Sequence, residues 1–139
     1  MEEEGVLVVE DKIYKGSCLC QAVSFTAKNV AKNVWYCHCI QCRKISGNYV
    51  GATRAKDIDI KINGKFKWFY VNDSAKHGFC HKCGSELFWK KDGLDTTSIF
   101  VGALDDSKGL SETGHIFVKE KADCFTFNKK IPCYDEKHS

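Results

Sequence analysis

Three short cysteine runs stand apart from the rest of the 139 residues: Cys18-Leu19-Cys20, Cys37-His38-Cys39-Ile40-Gln41-Cys42 and Cys80-His81-Lys82-Cys83. They hold seven of the nine cysteines. Thiols at such close spacing can turn their sulfurs toward one ion, and thiolate is a soft ligand that zinc binds tightly. Cys80-x-x-Cys83 has the spacing of a metal knuckle, and Gly84 directly after it is free to take the left-handed conformation such a turn often needs. Joined with Cys18-x-Cys20, it supplies four sulfurs for a closed tetrahedral zinc, a structural site with no room for a substrate. Cys37, Cys39 and Cys42 differ. They approach one ion from a strand end running into the first turn of a helix, and three ligands leave a position open for water, hydroxide or a substrate thiolate. These three are the candidate catalytic residues. The amides of the helix start favour negative charge on Cys39 and Cys42. The expectation is two zinc ions per chain, one structural and one reactive. Other partitions remain open: His38, His81 or a remote cysteine as fourth ligand of the second site, or a shared cluster of several zincs.

Cys124 and Cys133 lack such spacing. Cys124, beside Phe125 and Phe127, reads as a small core residue, and Cys133 as a free thiol near the tail. The odd count of nine cysteines fits poorly with a disulfide framework. The acidic start Met1-Glu2-Glu3-Glu4 is unlike a secretory signal, and no apolar run approaches a membrane span, so a reducing, cytoplasmic setting is expected. The net charge is +3, but the lysines are scattered, with doublets only at Lys90-Lys91 and Lys129-Lys130. That pattern argues against a nucleic-acid partner.

The elements that must position these cysteines read as strands. With 43% hydrophobic and 28% charged residues and a single proline, the composition is that of an ordinary globular chain rather than a disordered one. Period-two alternation marks Ala22-Ala27, where Val23 and Phe25 share a face, and Ile58, Ile60 and Ile62. Phe66, Trp68 and Tyr70 follow after Asn63-Gly64, predicting a hairpin whose three-residue loop pairs Ile62 with Phe66 and Ile60 with Trp68. Further strands are expected at Val6-Val9, Ile13-Tyr14, Val34-Cys37, Tyr49-Thr53, Ala75-Phe79, Glu86-Trp89, Ser98-Val101, Ile116-Val118 and Phe125-Phe127. Only Ile40-Ser46 reads as a helix, about two turns long. The fold class is therefore mainly β: small coiled antiparallel sheets stapled by zinc, with one short helix, in a single domain spanning 1–139 and a core of about 13–127. Small sheets bury little apolar area, and a structural zinc offsets that by adding its binding free energy to folding.

Gly16-Ser17-Cys18-Leu19-Cys20, Cys37-His38-Cys39-Ile40-Gln41-Cys42-Arg43-Lys44, Phe79-Cys80-His81-Lys82-Cys83-Gly84-Ser85 and Gly114-His115-Ile116-Phe117 together resemble the glutathione-dependent formaldehyde-activating enzyme family, whose domain is shared with centromere protein V. The resemblance implies a β-rich zinc fold with Cys18, Cys20, Cys80 and Cys83 on a structural zinc and Cys37, Cys39 and Cys42 on a reactive one. It also implies a carbon-sulfur lyase that reversibly joins glutathione and formaldehyde as S-(hydroxymethyl)glutathione. The candidate substrates are thus a small thiol and a small aldehyde. A non-catalytic zinc module binding a protein or nucleic acid is the alternative.

Around the reactive cysteines, His38, Arg43, Lys44, Ser46 and Arg54 lie near enough in sequence to line a site. His38 alternates away from its neighbours on an extended chain, which makes it a supporting residue rather than a ligand. Arg43 and Lys44 are candidates for a substrate carboxylate. His115, Trp35, Tyr36, Phe79 and Trp89 read as core or wall residues.

Overall fold

The computed structural model describes residues 6–127 and 130–137. In chain order these form β1 (Val8–Ser17), β2 (Ser24–Ala31), β3 (Asn33–Cys37), α1 (Ile40–Ser46), β4 (Val50–Lys56), β5 (Ile60–Asn63), β6 (Lys67–Tyr70), β7 (Ala75–Phe79), β8 (Glu86–Lys91), β9 (Thr96–Phe100) and β10 (Ser111–Ile116). Short 3-10 turns cover Asp57–Asp59, Val101–Ala103 and Val118–Glu120.

Alternation drives the layering. In β2, Phe25 and Ala27 are buried while Ser24 and Lys28 face water, so one face of its sheet is apolar and must be covered. That sheet has three strands in the order β1-β2-β5, and a second has seven in the order β10-β3-β4-β9-β8-β7-β6. Tyr14, Phe25 and Val30 from the small sheet, with Val23 just before β2, meet Ala55, Phe88 and Ile99 from the large one in a shared core. Phe25 and Phe88 pack edge to face at 5.0 Å, a favoured geometry for aromatic pairs. The Thr53 hydroxyl on β4 donates to the Ala31 carbonyl at 2.6 Å, tying the layers together in the interior.

The mainly β class, the single helix and its bounds agree with the sequence reading; several details differ. Val6-Val9 and Ile13-Tyr14 fall within or beside one long strand, β1, interrupted by a bulge between Val9 and Ile13 where Asp11 takes a φ of 58°. The Asn63-Gly64 hairpin does not form. β5 pairs with β2, placing Ile62 opposite Phe25, while β6 pairs with β7, so the segment between them crosses from one sheet to the other. An isolated hairpin would bury little. By crossing, Phe66 and Trp68 pack on Phe88, with ring centroids at 5.5 and 6.5 Å. Gly64 makes the crossing possible: its φ is 98°, and a Cβ there would lie 2.1 Å from the Ala22 carbonyl oxygen.

The sheets are not wholly antiparallel, because β10 runs parallel to β3. Strand β10 stops at Ile116 and Phe117 turns left-handed with φ 55°, so Val118 opens a 3-10 turn instead of ending the strand. Phe125-Phe127 is not a strand, and Cys124 is exposed rather than part of the core. Pro132 to Glu136 run beside β10 through backbone hydrogen bonds to His115, Phe117 and Val118.

Candidate metal centres

Strand β1 ends at Ser17, delivering Cys18 and Cys20 on a turn closed by the Gln21 amide donating to the Cys18 carbonyl at 3.1 Å. Gln21 takes a φ of 65°. The end of β7 delivers Cys80 and Cys83 in the same way: Gly84 donates to the Cys80 carbonyl at 2.8 Å and takes the left-handed conformation expected of it, with φ 77°. The four sulfurs all lie within 4.8 Å of one another. Cys20 Sγ stands 3.7 Å from both Cys18 Sγ and Cys80 Sγ. Sulfurs at about 2.3 Å from a tetrahedral zinc stand about 3.8 Å apart, so this set fits the ion, and the distances are far too long for a disulfide. Amides aim at the sulfurs, Val23 donating to Cys18 Sγ at 3.3 Å and Lys82 to Cys80 Sγ at 3.4 Å. Such donors favour thiolate over thiol. At Cys83 the Ser85 hydroxyl, aided by backbone amides, brings the thiol down to about 5.

The second group consists of Cys37, Cys39 and Cys42, again within 4.8 Å of one another. No histidine or carboxylate among the described residues joins either group. Cys37 is the last residue of β3, Cys42 is buried within α1, and Cys39 is the helix cap. The Cys39 sulfur accepts from the Cys42 amide at 3.3 Å, the part usually played by a serine or aspartate oxygen. Gly47 ends the helix with φ 99° and donates back to the Arg43 carbonyl, which stops it after about two turns. Close contact divides the charge unequally. Hydrogen bonds from Cys37 and Cys42 push Cys39 strongly down, while Cys39 raises Cys37 to about 12 and Cys37 raises Cys42. Without a cation only one of the three ionises readily; a bound divalent ion allows all three to do so. The donor set thus suits a soft metal and provides three ligands, not four.

His38 points the other way, as its position between two ligands on an extended chain requires. It is fully buried, and its Nε2 lies 2.8 Å from His115 Nδ1. His115 Nε2 faces Glu112 at 3.7 Å. A proton on that nitrogen makes His115 Nδ1 the acceptor and His38 Nε2 the donor, leaving the unpartnered His38 Nδ1 as a bare lone pair. Tyr49, Phe125 and Phe127 surround the His38 ring at centroid distances of 4.8, 5.0 and 5.2 Å. Burial, with smaller effects from His115 and Lys121, holds its imidazole at about 4, so it stays neutral.

A cleft of about 640 Å³ runs from Cys18, Leu19 and Ser85 to Tyr49 and Val50. Val50 sits directly across the ladder from Cys37, so the cleft ends one strand away from the second group. Its size is that of a small-molecule site. Arg43 is half-buried, with an Nε that has no hydrogen-bond partner, and Lys44 beside it is exposed. Ser46 serves the helix, its hydroxyl donating to the Cys42 carbonyl at 2.7 Å. Arg54 does not join these residues: it lines a smaller cleft with Asn29 and Asp59, four positions along β4 from Val50, or about 13 Å at the usual strand rise. Trp35, Tyr36, Phe79 and Trp89 are half-buried wall residues, Tyr36 stacking on His115 at 5.2 Å. His81 is exposed and Cys133 is an exposed thiol. The sequence did not disclose Glu120 or the Phe125–Phe127 pair as neighbours of the second group, since they meet Ile40 and His38 from 80 or more positions away and leave no local spacing signal.

The family model described as "Glutathione-dependent formaldehyde-activating enzyme" matches residues 13–120, well over half of the chain. The chain belongs to this family. A Schizosaccharomyces pombe relative named as an uncharacterized lyase is 23% identical over 123 residues, covering 87% of this chain and 90% of that one. The crystal structure of a Rhodobacter sphaeroides protein shares the fold, with a TM-score of 0.57 and 23% identity over 66% of this chain and 87% of that one. The family match takes in all seven clustered cysteines, His38, His115 and Glu120, and ends before Phe125 and Phe127.

Proposed function

We propose that this chain is a zinc-dependent carbon-sulfur lyase that reversibly joins a small thiol to a small aldehyde, with glutathione and formaldehyde as its substrates. In this reading Cys18, Cys20, Cys80 and Cys83 hold a structural zinc, and Cys37, Cys39 and Cys42 hold a reactive one. The observation that carries it is the grouping of three cysteines, without a fourth protein ligand among the described residues. A reducing compartment such as the cytoplasm keeps the nine thiols available.

At such an open position, bound zinc would favour the ionised form of a substrate thiol near neutral pH. The joining step forms a carbon-sulfur bond, breaks the aldehyde C=O π bond and leaves the thiol's proton on the new hydroxyl; the lyase direction reverses each change. Arg43, with the exposed Lys44 beside it, would supply the positive charge for a substrate carboxylate. The neutral His38 and its aromatic neighbours keep the back of the site apolar and closed to water.

The test is the rate at which ¹³C-formaldehyde and glutathione equilibrate with their adduct, followed by NMR against the spontaneous reaction. The wild type is expected to accelerate equilibration in both directions, and Cys42→Ser to return it to the spontaneous rate while the chain stays folded. Spontaneous kinetics with the zinc-loaded wild type, or undiminished turnover in Cys42→Ser, would contradict the proposal.

A further inference from the structure

The segment from Cys37 to Ile40 is held almost residue by residue from a part of the chain some 80 positions away. Cys37 pairs with Ile116 across the parallel β3–β10 ladder. The His38 amide donates to the Ile116 carbonyl at 3.1 Å, and its ring meets His115 at 2.8 Å. The amide of Ile40, the first residue of α1, donates to Glu120 Oε1 at 2.8 Å. Cys39 is left between two anchored neighbours, and its sulfur caps the helix that carries Cys42.

Two of these contacts depend on particular side chains, His115 and Glu120. A seven-residue helix has marginal stability of its own, so the hydrogen bond at its first amide fixes where α1 begins and with it the relation of Cys39 to Cys42. His38 and His115 are 0% and 4% exposed, and a buried pair of this kind loses heavily if one partner goes, because the other is left unsatisfied. Nothing in the ladder itself requires a carboxylate at 120 or an imidazole at 115.

We propose that Glu120 and His115 are positioning residues for the three-cysteine centre, acting on Cys39 through Ile40 and His38. The proposal rests on reading Cys37, Cys39 and Cys42 as one metal centre. Supporting residues behind metal ligands typically change metal affinity by about 10- to 100-fold.

The experiment compares Glu120→Ala, Glu120→Gln, His115→Leu and His115→Asn with the wild type, all as full-length chains. Glutamine keeps an oxygen to accept the Ile40 amide, and asparagine places an acceptor near the position of His115 Nδ1. In cobalt-substituted protein, Glu120→Ala and His115→Leu should release the labile metal equivalent about 10-fold faster or more, with altered thiolate-to-cobalt absorption. Glutamine and asparagine should restore most of the wild-type behaviour, and the tightly held equivalent should be unchanged throughout. Amide exchange read by NMR should show the Ile40 and Cys42 amides less protected in Glu120→Ala and restored in Glu120→Gln. Wild-type release and exchange in Glu120→Ala would overturn the proposal, as would equal loosening of both metals with global unfolding. A wild type lacking any labile metal would refute the metal reading instead, and the amide exchange would still decide whether Glu120 positions Cys39.

Discussion

At the residue scale the two cysteine groups differ in what surrounds them, and that difference predicts different consequences of losing a sulfur. Cys80 is fully buried in the core and Cys18 nearly so, where they join the end of β1 to the end of β7. Removing one leaves three thiolates and a cavity at the junction of two sheets. Cys80→Ala should therefore lose its metal and its cooperative thermal transition together. Cys39, half-buried at the start of a short helix at the sheet's end, should tolerate serine, which can still cap a helix. Cys39→Ser is expected to keep the far-ultraviolet dichroism and one metal. Unfolding of Cys39→Ser, or a native-like melt of Cys80→Ala, would reverse the assignment of structural and reactive centres. Both groups were legible in the sequence because knuckle spacing is local. Their surroundings were not: His115 and Glu120 lie 77 and 80 positions from the residues they contact, and no short-range pattern reports such a meeting.

At the scale of elements, period two found most of the strands, and the short helix was read with the bounds it has, Ile40–Ser46. Strand partners were less legible. Ile60, Ile62, Phe66 and Trp68 alternate as a hairpin would, yet alternation says only that each segment has one apolar face; it does not say which sheet that face joins. The deciding feature is Gly64, whose backbone passes so close to Ala22 that a side chain cannot fit. Gly64→Ala should then destabilise the chain by about 2 kcal/mol or more, from a strained left-handed φ and a displaced β2 entry. Chemical denaturation measures this directly. A loss of only a few tenths of a kcal/mol, the size of a permissive surface turn, would mean that the crossing is not tightly held. Phe125 to Phe127 failed as a strand for a related reason: aromatics separated by one residue fit a strand, but here they turn inward onto His38 and His115, filling a satellite cluster instead of a ladder.

At the scale of the whole molecule, two sheets of unequal size share one core, and the metal groups stand where chain direction changes. The four-cysteine group brings together the end of β1 in the small sheet and the end of β7 in the large one, so a metal there would add directly to the cohesion of the layers. The three-cysteine group lies where β3 passes into α1, at an end of the large sheet, with the β10 segment behind it. On the proposed reading, a metal in the first group would resist the separation of the sheets, while one in the second could exchange a ligand without disturbing them. Among the described residues no helix is long and apolar enough to cross a membrane.

That division of labour is the central claim, and metal counting tests it most directly. Elemental analysis of the purified chain, followed by stopped-flow transfer to a weak chromophoric chelator with and without glutathione, resolves how many ions are bound and how each one leaves. The account predicts two zincs per chain: one transferred rapidly and at a rate that responds to glutathione, the other retained until the protein unfolds. A single zinc, or two that leave together only on unfolding, would contradict it.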